Sequence, residues 1–282
     1  MHSKTVHCHQ IRDAVGEMCQ RANFEMTQDV RSALEQGVAQ ESTPLARNTL
    51  LRILQNAEVA RATQLPMCQD TGLIIVFVEM GQNVQITGGD LSNAINDGVR
   101  KGHQEGYLRA SVARDPLLRQ NTQDNTPAII HYEVIEGERL RLKLLAKGGG
   151  CENMSRFQML TPADGRDGVK RFVVETAILA GPNACPPMIV GVGLGGSFEY
   201  SAILSKKSLL REIGTHNSLP HIAELEMEIL RLINESGLGP QGYGGITTSL
   251  AVQIEVAACH MASLPVSVNI ECHAHRCQEV EF

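Results

Sequence analysis

Three consecutive glycines, Gly148-Gly149-Gly150, stand between an apolar run that closes at Lys147 and the segment Cys151-Glu152-Asn153-Met154-Ser155. Glycine reaches backbone conformations closed to other residues and leaves its N–H groups uncovered, so a triplet behind a strand-like run reads as an anion-binding loop. Two other breaks share this character: Pro66-Met67-Cys68-Gln69-Asp70-Thr71-Gly72 upstream and Asn183-Ala184-Cys185-Pro186-Pro187 downstream. Each places one cysteine at a sharp turn beside an apolar run. Together the three point to a built site.

The pattern around these turns is α+β. Residues 11–63 read as helical, with Thr43 as N-cap, Pro44 at the first helical position and a periodic apolar set of Leu50, Leu51, Leu54 and Val59, ended by Pro66. Residues 73–80 form a β-rich apolar run, Asp90 caps a helix toward Gly106, and residues 128–134 and 140–145 are expected to pair as a hairpin around Glu136-Gly137-Glu138. Beyond the glycines, helices over 165–179, 198–211 and 220–236 alternate with strands over 188–193, 249–257 and 265–271, and Gly237 supplies a helix stop. No repeat, low-complexity tract or Pro/Ser-rich linker marks a boundary. Residues 1–282 are therefore expected to form a single large α+β domain with mixed sheets flanked by helices.

Apolar residues make up 43% of the chain and charged residues 20%, and no stretch approaches the roughly 18 uninterrupted apolar residues that span a bilayer. The first nine residues lack the apolar centre of a secretory signal, so the expected location is the cytoplasm, without a membrane partner. A net charge of -6 provides no global field for nucleic acid, so an anion has to be held by local groups.

Eight cysteines, at positions 8, 19, 68, 151, 185, 259, 272 and 277, are sparse for a disulfide scaffold and suggest reduced thiols or metal ligands. The absence of any Cys-x-x-Cys removes thioredoxin-type chemistry, zinc ribbons and compact ferredoxin clusters. Cys68, Cys185 and Cys272 each adjoin a predicted strand at a turn. Three thiolates on one iron-sulfur cube would leave the fourth iron open to a substrate hydroxyl or carboxylate, which is hydratase chemistry. On spacing alone, the reading of these residues as small buried hydrophobes stays open.

Asp70, two residues after Cys68, is suited to proton transfer with the Gln69 amide beside it, or equally to capping a turn. Arg109 and Lys147 are candidate carboxylate clamps, with solvated surface charge as the alternative, and Lys206-Lys207 reads as solvent-facing. The set Cys259, His260, Cys272, His273, His275 and Cys277 mixes zinc-type ligands, but adjacent residues point to opposite faces of a strand and few geometries gather four. His260 reads as a catalytic or orienting imidazole, or as a core histidine. Gly191-Val192-Gly193-Leu194-Gly195-Gly196 matches a dinucleotide-binding turn, yet the acidic partner about twenty residues on is missing, and tight helix packing accounts for the glycines.

Taken together, residues 66–72, Asn121-Thr122-Gln123-Asp124-Asn125-Thr126-Pro127, residues 147–155, 183–187, Gly239-Pro240-Gln241-Gly242 and Asn269-Ile270-Glu271-Cys272 resemble the alpha part of the iron-sulfur-dependent class I fumarate hydratases, nearly end to end. That family also includes L-tartrate dehydratase alpha subunits. The resemblance implies a 4Fe-4S cluster on Cys68, Cys185 and Cys272, and proton handling or orientation by Asp70 and His260. It also implies that Gln69, Arg109 and the backbone of Gly149 or Gly150 hold the carboxylates of a dicarboxylate substrate. Reversible hydration of fumarate to L-malate is the expected reaction, with L-tartrate dehydration as the alternative and a zinc-stabilised non-catalytic module as a more distant one. A beta subunit is expected to supply the catalytic base, making this chain half an enzyme, as an alpha homodimer or within an α2β2 assembly. Glu152-Asn153-Met154-Ser155 is similar to the fumarase version of the loop, whereas Cys151 departs from the pattern as a fourth thiol close to the proposed site.

Overall fold

A computed structural model describes residues 4–282; the first three residues of the N-terminal segment considered above lie outside the described residues. The architecture is α+β, with mixed sheets flanked by helices, as the sequence pattern led us to expect. The chain divides into two compact units, one containing the residues up to Met26, Ala57–Gly149 and Arg276–Phe282, the other Thr27–Asn56 and Gly150–His275.

The first unit contains strands β1 (Lys4–His7), β2 (Leu73–Gly81), β3 (Val84–Thr87), β4 (Ile129–Ile135), β5 (Leu140–Lys147) and β10 (Cys277–Glu281), with helices α1 (Cys8–Phe24) and α4 (Leu91–Glu105). Asp90 caps α4 as expected, its Oδ1 accepting from the Asn93 N–H at 2.9 Å. The expected hairpin of β4 and β5 does not form. The sheet order is β10-β5-β2-β4, with β2 between the two, parallel to β4 and antiparallel to β5. The reason lies at the tip: the N–H groups of Gly81, Gln82 and Asn83 donate to the carbonyls of Arg139, Ile135 and Gly137, so the end of β2 takes the turn's hydrogen-bonding groups. Alternate residues of β2 and β5 (Ile74, Val76, Val78; Leu140, Leu142, Leu144, Ala146) meet Ile11, Val15, Met18 and Cys19 of α1 and Ile95 and Val99 of α4 in one core. Burying each large aliphatic side chain there contributes about 1.5–3 kcal/mol.

The second unit contains α2 (Gln28–Gln40), β6 (Arg156–Leu160), α6 (Gly165–Ala180), β7 (Met188–Gly195), α7 (Phe198–Ser208), α8 (Pro220–Asn234), β8 (Ser249–Ala257) and β9 (Leu264–Glu271) in a sheet ordered β6-β9-β7-β8. Two further helices, α3 (Pro44–Thr63) and the single turn α5 (Gly149–Glu152), each begin in one unit and end in the other. The expected long helical region from 11 to 63 is thus three helices, and Thr43 Oγ1 accepts from the Ala46 N–H at the start of α3. β7 explains the glycine pattern at 191–196. Met188, Val190 and Val192 face Phe172, Val173, Ile229 and Ile233 in the core. On the opposite face, a Cβ at Gly191 would stand 2.3 Å from the Ser205 carbonyl oxygen, and one at Gly193 only 1.8 Å from that of Ser201. Helix α7 lies directly on the strand backbone, so these glycines serve packing.

Candidate functional site

The link between α3 and β2 carries Cys68, Gln69 and Asp70. Its start is anchored by the Met67 N–H on the Asn23 carbonyl at 2.9 Å and by the Met67 side chain among Ala57, Ala60 and Met26. Cys68 and Asp70 are half-buried and Gln69 is exposed. Asp70 Oδ1 accepts from the Gly72 N–H at 3.1 Å, closing a side-chain turn, and from Ser111 Oγ at 3.5 Å. Its Oδ2 accepts from the Gly149 N–H at 2.7 Å. The anion held by this glycine N–H is therefore a carboxylate of the chain itself, and the bond joins the Cys-Gln-Asp-Thr-Gly loop to the triple-glycine turn. The exposed Arg109 is held through its main chain, its carbonyl accepting from Thr71 Oγ1 at 2.7 Å.

Three residues behind these loops were given no individual role from the sequence. Asn125 is fully buried. Its Nδ2 donates to the Gly72 carbonyl at 3.0 Å and to His103 Nε2 at 2.8 Å, and its Oδ1 accepts from the Ser111 N–H at 2.7 Å. His103 Nδ1 lies 3.0 Å from the Val99 carbonyl, which only accepts, so Nδ1 carries the proton and Nε2 accepts: a neutral imidazole, in keeping with burial pushing its pKa down. Arg276, 1% exposed, donates from Nη1 to the Asp70 carbonyl oxygen and to Asn23 Oδ1. A Cβ at Gly148 would stand 3.1 Å from Arg276 Nη2 and 3.5 Å from Asp70 Oδ2, so the first glycine of the triplet leaves room for a buried guanidinium. No local signal in the sequence separates such an arginine from a surface one. Lys147, for which a solvated surface position was the alternative, is buried at 2% exposure.

In the second unit, Cys185 is exposed with a left-handed backbone (φ 50°, ψ 62°), and its carbonyl oxygen lies 2.9 Å from His273 Nδ1. Cys272 follows the last residue of β9. It is buried together with Cys151 and Ala274, and Cys151 Sγ donates to the Ala184 carbonyl at 3.6 Å. One ligand atom each from Cys151, Glu271 and Cys272 lie within 4.8 Å of one another. Two sulfurs and a carboxylate, all on buried residues, form a donor set for iron or zinc, not for calcium or magnesium. Lys206, expected to face solvent, instead reaches both carboxylate oxygens of Glu152 at 2.6 Å.

His260 is exposed, not a core histidine, in the turn between β8 and β9, where its Nδ1 accepts from the Ala262 N–H at 3.1 Å. It sits beyond Leu264 at one end of β9 and Cys272 beyond Glu271 at the other, a strand length of roughly 23 Å. The C-terminal cysteines and histidines therefore do not gather into one zinc site. Of the sequence-derived candidates, Cys68, Gln69, Asp70, Arg109 and Gly149 belong to the first unit, and Gly150, Cys185, Cys272 and His260 to the second.

A family model described as fumarate hydratase (Fumerase) matches residues 12–281, a span that includes most of both units. The chain is 42% identical over 272 residues to the "Putative L(+)-tartrate dehydratase subunit alpha" of Methanocaldococcus jannaschii, covering 94% of this chain and 95% of that protein. It is 32% identical over 269 residues to the L(+)-tartrate dehydratase subunit alpha of Escherichia coli UTI89, covering 94% and 88%. No helix among the described residues is long and apolar enough to cross a membrane.

Proposed function

We propose, since this chain belongs to the fumarate hydratase (Fumerase) family of hydro-lyases, that it is the alpha subunit of an enzyme hydrating fumarate reversibly to L-malate, active together with a beta subunit. The observation that carries this reading is the Asp70–Gly149 hydrogen bond, which unites the two loops a dicarboxylate would occupy. Asp70 is held at both oxygens and at its carbonyl, by Gly72, Gly149 and Arg276, so its carboxylate is oriented before substrate arrives. Arg109 offers an exposed fork for a substrate carboxylate while Thr71 fixes its main chain, and Gln69 and the exposed N–H of Gly150 add donors. Asp70 shuttles or orients the proton, and the base that takes it from carbon comes from the beta subunit.

The sulfur-rich surroundings of Cys272 fit an iron-sulfur group. Cys68, Cys185 and Cys272 would hold a 4Fe-4S cluster, which when bound supplies an open iron as Lewis acid for the substrate hydroxyl. Residues 1–282 then act as one cluster-binding domain, in a reducing cytoplasm that suits the exposed thiols of Cys185 and Cys259. The distance of His260 from Cys272 along β9 supports a role for its imidazole at the site of a second alpha subunit, in an alpha homodimer or α2β2 assembly. The names of the two relatives favour a second substrate, L-tartrate.

Anaerobic reconstitution with iron and sulfide, together with the beta subunit, followed by assays on fumarate and L-tartrate, tests the reading. Turnover of fumarate supports it and turnover of L-tartrate alone transfers it to the second substrate. A cluster-loaded complex inert toward both refutes it. Cys68→Ala, Cys185→Ala and Cys272→Ala should each abolish cluster content while Cys8→Ala retains it; full iron and sulfide in any of the first three overturns the ligand set.

A further inference from the structure

Cys151 has no part in the proposed cluster or in the substrate contacts, yet the segment around it is held in place by several hydrogen bonds. The segment that carries it is stitched to the end of β9: Asn269 Nδ2 donates to Glu152 Oε2 at 3.2 Å, the Ile270 N–H donates to Ser155 Oγ at 3.2 Å, and β6 continues the pairing from Arg156 opposite Val268. Lys206 clamps Glu152 from α7. These bonds bring Cys151 against Glu271 and Cys272, all three ligand atoms within 4.8 Å, at exposures of 5%, 0% and 8%.

We propose that Cys151, Glu271 and Cys272 form a site for a single divalent ion of the zinc or ferrous type, filled when the iron-sulfur cluster is absent and exclusive of it because Cys272 serves both. The exclusivity rests on the cluster assignment above; the site itself does not. Metal–sulfur bonds of about 2.3 Å and a metal–oxygen bond of about 2.0–2.2 Å put tetrahedral ligand atoms about 3.5–3.8 Å apart, so side-chain rotation closes the set around an ion without moving β9. The Cys151 thiol donates to the Ala184 carbonyl, and the Cys272 thiol donates to Glu271 Oε1 at 3.8 Å. On binding, the ion replaces the two thiol protons, which leave to solvent, and the Glu271 carboxylate enters as it stands; two thiolates and a carboxylate around a dication carry a net charge of -1. Water completes the fourth position. The mixed sulfur and oxygen donors select a borderline-soft ion over magnesium or calcium.

The test uses the full-length chain, prepared anaerobically without iron, sulfide, substrate or beta subunit, and titrated with cobalt(II) as the spectroscopic probe. One cobalt per chain is expected, with thiolate-to-metal charge transfer and the visible bands of a tetrahedral ion. Cys151→Ser and Cys272→Ser should each about halve the charge-transfer intensity and weaken binding about tenfold or more, and Glu271→Gln should weaken binding with the intensity kept. Cys68→Ser and Cys185→Ser should leave the titration unchanged. Circular dichroism matching the parent chain separates loss of ligand from loss of fold. Charge transfer indifferent to Cys151→Ser, or abolished by Cys68→Ser or Cys185→Ser, overturns the site. Because no substrate or cluster is present, a chain devoid of hydratase activity still passes this test, and an active one can fail it.

Discussion

Replacing Asn125 by alanine should loosen the Asp70 loop more than any change at the exposed candidates. The amide is fully buried and makes three hydrogen bonds, to the Gly72 carbonyl, His103 Nε2 and the Ser111 N–H. Truncation strands the Gly72 and Ser111 backbone groups at about 1–3 kcal/mol each. Residue 125 also has φ 60°, where alanine adds about 1 kcal/mol that asparagine largely avoids. Water entering the space offsets part of the first contribution, leaving a loss of about 4 kcal/mol, on the scale of the larger single-site effects. Hydrogen–deuterium exchange over residues 68–72 and 109–112 reads it locally, with opening raised by about a thousandfold if the whole loss falls on these segments. Urea unfolding reads it globally. Asn125→Asp keeps the acceptor for Ser111 and tolerates the backbone, but it sets a buried carboxylate oxygen against the Gly72 carbonyl and the accepting His103 Nε2, so it should lose at least as much at neutral pH. Unchanged exchange in both segments, with a global loss under about 1 kcal/mol, would refute the view that this amide holds the loop.

The other expectations concern packing, protonation, thiol access and subunit exchange. Gly193→Ala should destabilise the second unit by more than about 3 kcal/mol in urea unfolding, since the added methyl overlaps the Ser201 carbonyl; a near-neutral effect would show that α7 is not seated on β7. His103 is held below its ordinary pKa of 6.5 by burial, so the fold binds a proton less readily than the unfolded chain, and the stability this group contributes is complete above about pH 6.5 and lost as pH falls below it. Urea midpoints between pH 8 and 5.5 should therefore fall more steeply in the parent chain than in His103→Gln, and equal slopes would contradict the buried neutral imidazole. Burial raises the Cys19 thiol to about 12, so the native chain should leave Cys19 unalkylated by iodoacetamide at pH 8 while the exposed Cys259 reacts; mass mapping with Cys19 modified first would sink this. Heterodimers of a Cys272→Ala chain with a His260→Ala chain should recover one working site in two, and complete inactivity would return His260 to its own chain.

Much of the fold was readable where local chemistry and periodicity agree. Asp90 at a helix start, Thr43 before Pro44, and the apolar and strand runs that form β2, β7, β8 and β9 all stand as read. The β4–β5 hairpin was misread because Glu136-Gly137-Glu138 has the local form of a turn, while the insertion of β2 is a non-local pairing that no short window contains. The short strands β1, β3, β6 and β10 gave too few residues for a period to register. Around the site, the loops were legible through glycine, proline and cysteine. Their supports were not, because Asn125, His103, Arg276 and the buried Lys147 have the composition of surface residues and only tertiary burial sets them apart.

The order in which the chain leaves the ribosome sets a condition on its folding. Strand β10, the outer partner of β5, comes from residues 277–281, and the preceding residues 150–275 belong to the other unit. At 5–20 residues per second that intervening stretch takes roughly 6–25 s to synthesise. For that interval the N–H and C=O groups on one edge of β5 wait unpaired in the nascent protein, which makes this strand the natural point for a chaperone to hold and for truncated chains to aggregate.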